Sequence, residues 1–178
     1  MGQDKIDTHK LDFILDKCSA FIAPGGTYWY NFDKYIINYA IAKNKPLLAI
    51  CAGFQALCSV DSADSSKFDI SKKYHNNYHH NNNLVYAHYI NIKSNTKLKK
   101  ILNKTKIYVN SLHYNYIDIN NKFNNLKISA VSEDNIIEAV EFPGKKFIVG
   151  LEWHPEYLLD SNSKKFFQSF ISSIKEPN

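Results

Sequence analysis

The chain is most constrained at Pro46-Leu47-Leu48-Ala49-Ile50-Cys51-Ala52-Gly53-Phe54-Gln55, where an apolar run stops at a cysteine among small residues. Leu47 to Ile50 read as a strand buried on both faces. Phe54 to Val60 read as a helix, so Cys51 falls on a tight strand-to-helix turn. A turn of that kind strains the backbone at the nucleophile and tolerates only small neighbours, here Ala49, Ala52 and Gly53. A helix beginning there turns unsatisfied backbone N–H groups toward the sulfur, which favours the thiolate. The expectation is a partly exposed Cys51 of low pKa, alkylated ahead of Cys18 and Cys58.

A cysteine nucleophile needs a base, and one stands far downstream. Gly150-Leu151-Glu152-Trp153-His154-Pro155-Glu156 follows a second apolar run, Phe147-Ile148-Val149. His154 therefore lies just past a strand end, where the active sites of open α/β sheets collect. Glu156 is placed to orient the imidazole and to stabilise its charged form. Each half alone reads equally well as a core cysteine or a surface histidine. Their order, each at a strand end, favours the catalytic pairing.

These segments resemble the class I glutamine amidotransferase-like proteins, in particular the gamma-glutamyl hydrolase branch (peptidase C26). Cys51-Ala52-Gly53-Phe54-Gln55 is similar to the family's C-R-G-x-Q nucleophile elbow, and Trp153-His154-Pro155-Glu156 matches its W/F-H-P-E block. Phe21-Ile22-Ala23-Pro24-Gly25-Gly26 resembles its strand ending in P-G-G. Val109-Asn110-Ser111-Leu112-His113-Tyr114-Asn115 resembles V-N-S-x-H-H-Q. The resemblance implies one α/β domain with a flavodoxin-like three-layer sheet. It implies a cysteine hydrolase of glutamine-type or gamma-glutamyl amides, working through a thioester with no metal or organic cofactor. Cys51, His154 and Glu156 would form the triad. The N–H groups of Gly26 and Ala52 would hold the oxyanion, and Gly25, Gln55, Ser111 and His113 would lie near a small-molecule substrate. Such a chain is either a free hydrolase or a subunit that delivers ammonia to a partner, and the V-N-S-x-H segment favours the free hydrolase.

The chain also departs from the family pattern. Only 19 residues precede Ala20, whereas a full β-α-β unit takes roughly 30 or more. The opening β-α-β unit is therefore expected to be missing, its absence leaving unpaired backbone and bare apolar area in the middle of the sheet. Either the chain is a remnant of a longer gene, or a second copy or partner subunit covers the gap. The elbow arginine is replaced by Ala52, the closing His-Gln by Tyr114-Asn115, and the Gly-Gly after the elbow helix by Asp61-Ser62-Ala63-Asp64-Ser65-Ser66. These departures support the alternative reading, a degenerate non-catalytic remnant acting as a binding module or without function.

The remaining features bound the answer. A chain of 178 residues with 44% hydrophobic residues suits a single domain. The net charge of +5 is modest, and the one bunch of lysines, Lys97, Lys99, Lys100, Lys104 and Lys106, reads as a solvated face rather than a nucleic-acid site. Three cysteines with no C-x-x-C pair argue against a disulfide framework. No apolar leader or membrane-length run is present, and a reducing cytoplasm is the expected compartment. Phe32 to Ala42 and Ser163 to Ile174 carry apolar residues at helical spacing, the latter as a stripe of Phe166, Phe167, Phe170, Ile171 and Ile174. Leu84 to Ile92, Lys106 to Val109, Leu126 to Val131 and Ile136 to Phe142 read as strands. Asp61 to Asn83 is polar, aperiodic and read as a loop. Its His75, His79 and His80 lie among asparagines without acidic or cysteine partners, so no metal site is assigned there. His88 reads as structural.

Overall fold

The computed structural model describes residues 8–64, 70–72 and 86–175. In chain order its elements are α1 (Thr8–Lys17), β1 (Phe21–Ala23), α2 (Asn31–Ala42), β2 (Leu47–Ile50), α3 (Ala52–Val60), β3 (Ile70–Lys72), β4 (His88–Ile92) and α4 (Lys97–Leu102). There follow β5 (Lys106–Val109), β6 (Asn115–Ile117), β7 (Lys127–Ser132), β8 (Ile137–Glu141), β9 (Ile148–Leu151), α5 (Pro155–Leu158) and α6 (Ser161–Lys175).

Seven strands form one sheet in the order β1-β2-β9-β8-β7-β4-β5. β1, β2 and β9 are parallel, and every pairing from β9 to β5 is antiparallel. β2 shows why both faces must be covered. All its residues are buried; Leu47 and Ala49 enter one apolar cluster, Leu48 and Ile50 the other. That is the period of two of a strand sandwiched between helical layers. On the first face Leu15 of α1, Ile37 and Ala40 of α2, and Phe54 and Leu57 of α3 close the core. On the second, Leu98 and Leu102 of α4 join Phe166 and Phe170 of α6, whose rings each stand 5.3 Å from the ring of Phe147.

Register places the site. Ala23 lies opposite Ala49, and Ile50 opposite Leu151. The residues that follow these strands, Pro24-Gly25-Gly26, Cys51 and Glu152 to His154, therefore emerge together at the carboxyl ends of three adjacent parallel strands. This is where an open α/β sheet presents its ligand crevice.

Several expectations change. No gap opens in the middle of the sheet: β1 pairs directly with β2, and the seven strands are contiguous. The open side is the outer edge of β1, unpaired among the described residues, where Ile22 is 56% exposed. The lysine bunch is partly the helix α4. Thr96 caps it by accepting from the Lys99 N–H at 3.1 Å, and the buried Glu141 carboxylate accepts from the Lys97 N–H at 2.7 Å. Lys97 reaches the Phe142 carbonyl, and burial pulls its pKa down. The segment read as one long loop carries β3, which pairs antiparallel with β6. The histidines at 75, 79 and 80 lie outside the described residues. Ile171 of the α6 stripe faces solvent, while Ser173 is buried in its place. The reading of His88 as structural is unchanged, and Glu138 holds it at 3.0 Å.

The departure at Asp61 has a structural use. Asp61 caps the end of α3, is buried, and its carboxylate accepts from the N–H groups of Asn125 and Leu126 at 2.8 and 2.7 Å and from the Asn125 side chain at 2.8 Å. It thus ties the elbow helix to the entry of β7. Asp61→Ala would leave two main-chain donors unsatisfied in a largely water-free pocket, at a cost of about 2–4 kcal/mol. The expected result in a thermal melt is a Tm lower by roughly 4–16 °C. An unchanged Tm would show that this tie contributes nothing.

Candidate active site

Cys51 is the last residue before α3 and has φ 48° and ψ −108°. A non-glycine residue held there costs on the order of 1–3 kcal/mol and persists only where its surroundings enforce it. Three main-chain hydrogen bonds do so: Cys51 N–H to Leu151 O at 2.8 Å, Gln55 N–H to Cys51 O at 2.9 Å, and Gly53 N–H to Pro24 O at 3.2 Å. The last explains the glycine. A Cβ on Gly53 would come within 2.1 Å of the Ala23 carbonyl oxygen, so only a bare Cα allows α3 to approach the end of β1.

The electrostatics of the thiol differ from expectation. Cys51 is only 5% exposed, and its thiol is pushed up to about 12, first by burial and then by the nearby Glu152 carboxyl. The backbone N–H groups of Ala52 and Gly26 both donate toward the sulfur and act in the opposite direction, but they do not prevail. The expected low-pKa, partly exposed thiolate is therefore not the resting state. Desolvation outweighs the helix-terminal donors. Cys58 is fully buried and also raised, while Cys18 is partly exposed.

His154 is held by its main chain. Asn110 grips it from both sides: the His154 N–H donates to Asn110 Oδ1 and Asn110 Nδ2 donates to the His154 carbonyl, each at 2.8 Å. The imidazole Nδ1 lies 2.7 Å from Glu156 Oε1. With the carboxylate accepting, Nδ1 is the donor, which in a neutral ring leaves the lone pair on Nε2. The Cε1 edge of the ring comes close to Gly25, where a Cβ would fall 2.5 Å from His154 Cε1. Gly25, read from the sequence as a substrate residue, thus also makes room for the imidazole. No hydrogen bond joins Cys51 to His154; the two meet as walls of the same cavity.

That cavity, of about 710 Å³, is lined by Gly25, Gly26, Cys51, Gln55, His113 and His154 among the residues read from the sequence. Thr27, Tyr28, Leu112, Tyr114, Asn115 and Tyr157 complete it. Ala52, Ser111 and Glu156 stand behind the wall. Ser111 acts through its neighbour, its hydroxyl lying 3.2 Å from His113 Nε2. Among the described residues no cluster of His, Cys, Asp and Glu is placed to hold a metal ion, and no helix is long and apolar enough to cross a membrane.

Two residues inside the quoted motifs were given no role by sequence reasoning. Asn110 is the clamp on His154. Glu152 is wholly buried and accepts from Gln55 Nε2 at 2.7 Å, with His113 Nδ1 3.2 Å from the same oxygen. Its second oxygen is buried without a hydrogen-bond partner, and burial raises its carboxyl well above the usual range. A glutamate closing an otherwise apolar strand run was the available signal, since such a residue must be paired inside the protein.

The model of the family Peptidase C26 matches residues 30–156. The "Putative glutamine amidotransferase-like protein RP404" of Rickettsia prowazekii (strain Madrid E) is 30% identical over 186 residues, covering 82% of this chain and 66% of its own length. A CTP synthase of Mycoplasma mycoides subsp. mycoides SC is 26% identical over 212 residues, covering 98% of this chain and 38% of its own. Among solved structures, the Trypanosoma brucei CTPS glutaminase domain with bound acivicin superposes with a TM-score of 0.74 at 17% identity, over 97% of this chain and 77% of that one. The fold is the flavodoxin-like α/β fold of the class I glutamine amidotransferases. The chain spans about two thirds or less of the length of these two sequence relatives.

Alkylation tests the electrostatic account of the thiol. With iodoacetamide near neutral pH, Cys18 is expected to label first, Cys51 slowly, and Cys58 only on unfolding. Because the thiolate is the reactive form and the Cys51 pKa is raised, its labelling should rise about tenfold per pH unit below about 12. Fast, pH-independent labelling of Cys51 at neutral pH would show a preformed thiolate instead.

Proposed function

The chain belongs to the peptidase C26 family, and we propose that it is a cysteine hydrolase of glutamine-type or gamma-glutamyl amides acting through Cys51, His154 and Glu156. One observation carries the reading. The Gly26 and Ala52 N–H groups converge on a strained cysteine whose cavity also receives an imidazole backed by a carboxylate at 2.7 Å. Two donors that meet at the sulfur also meet beside a carbonyl carbon bonded to it, where a tetrahedral oxyanion develops.

In this reaction the Cys51 proton passes to His154 Nε2 as Sγ attacks the side-chain amide carbon. Transfer at the moment of attack suits a thiol whose pKa is raised at rest. The oxyanion is held by the Gly26 and Ala52 N–H groups. Its collapse breaks the C–N bond, and the imidazolium returns its proton to the departing amine. A glutamyl thioester remains on Cys51. Water, deprotonated by His154, attacks it, releasing the γ-carboxylate and restoring the thiol. Glu156 holds the imidazole with Nδ1 protonated throughout. Glu152 positions Gln55 and His113 from behind the wall rather than touching the reacting atoms. A free hydrolase is favoured over an ammonia-supplying subunit by the Val109-Asn110-Ser111-Leu112-His113 segment, which follows the gamma-glutamyl hydrolase branch.

The buried, unionised thiol and the missing Cys51–His154 hydrogen bond favour a second reading, a non-catalytic binding module of the same fold. Release of amine or ammonia from gamma-glutamyl amides and glutamine separates the two. The wild type is expected to turn over, and Cys51→Ala to lose at least about 10³-fold in kcat/KM. Gly25→Ala, whose new methyl displaces the imidazole, should lose about 10–100-fold in kcat with the fold retained. Turnover that survives in Cys51→Ala would exclude the thioester route, and no turnover at all would favour the binding module.

A further inference from the structure

The cavity is larger than the reacting group needs. At about 710 Å³ it sits in the range of pockets that take drug-sized ligands, roughly 300–1,000 Å³, well beyond one glutamyl group. Its two ends differ in chemistry. The inner end presents Gln55 and His113, polar and buried. The mouth presents Tyr28, Tyr114 and Tyr157, which are between 47% and 73% exposed, with Leu112 beside them. Among the described residues lining the cavity none is Lys, Asp or Glu.

The proposed chemistry orients a substrate between these ends. The departing amine must take its proton from His154, so whatever substituent the amine carries leaves the reaction centre beside that ring. The Tyr157 ring stands there, its centroid 5.5 Å from that of His154 at an interplanar angle of 39°. An anionic substituent would find no lysine among the described lining residues, and a very small one would leave the tyrosines wet. A flat apolar group would cover them, and aromatic pairs at such spacings gain beyond simple area burial.

We infer that the tyrosine mouth is a leaving-amine subsite, and that the preferred substrates are gamma-glutamyl amides of aromatic or bulky apolar amines rather than glutamine or gamma-glutamyl peptides with acidic leaving groups. The inference rests on the hydrolase reading above and adds the identity of the amine.

The test compares gamma-glutamyl-phenethylamide with gamma-glutamyl-ethylamide, both amides of primary alkyl amines, alongside gamma-glutamylglutamate and L-glutamine. The phenethylamide is expected to have a kcat/KM about 10–100-fold above the ethylamide, chiefly through KM. Tyr157→Ser should cut turnover of the phenethylamide more than that of the ethylamide, shrinking the ratio. A ratio near one, or better turnover of gamma-glutamylglutamate, would overturn the subsite and leave the hydrolase reading standing. Calorimetric binding of the two alkylamides decides the matter if neither is hydrolysed. At least about tenfold tighter binding of the phenethylamide would keep the subsite and remove the hydrolase; equal binding would remove both.

Discussion

The site depends on one strained residue. Cys51 sits at φ 48° because β2 and α3 must join without a loop. That join requires Gly53 to slide under the Ala23 carbonyl and β1 to offer its Pro24 oxygen. Those contacts also carry Gly25 and Gly26 to the sulfur. Gly25 in turn leaves space for the imidazole, which Asn110 fixes from the far side through the main chain of His154. Strand end, elbow, main-chain donors and imidazole are thus one packing arrangement, and a methyl group at Gly25 or Gly53 would disturb it.

Burial has two opposed effects here. It raises the Cys51 thiol and the Glu152 carboxyl together, and the thiol rests protonated. The same dry surroundings strengthen the Gly26 and Ala52 donors toward any charge that develops during reaction. A protonated resting thiol beside two main-chain donors is consistent with proton transfer coupled to attack. The mouth is different in kind, open and aromatic.

Most of the elements that carry chemistry were legible in the sequence, for identifiable reasons. β2, α3 and β9 stood out because continuous apolar runs end in small or polar residues at a strand end. Pro24-Gly25-Gly26 stood out through the glycines that close approach requires. What escaped were features set by tertiary context. β3 and β6 are three residues each and depend on one another for pairing. α4 is short, and its start is held by Glu141, a residue distant in sequence, as well as by the adjacent Thr96. The Cys51 pKa misled because helix-terminal donors are a local signal, whereas desolvation belongs to the folded whole. The open edge was expected in the sheet's interior and lies at β1, since the order of strands is not written in any one of them.

The central claim is that Cys51 carries the substrate's glutamyl group as a thioester. Acid-quenching the protein within the first turnovers on a gamma-glutamyl amide, followed by peptide mass spectrometry, tests it directly. The account predicts a single glutamyl adduct on the peptide containing Cys51, absent from Cys51→Ala and lost on standing with water. Amide turnover without any adduct on Cys51, or an adduct on another residue, would contradict it.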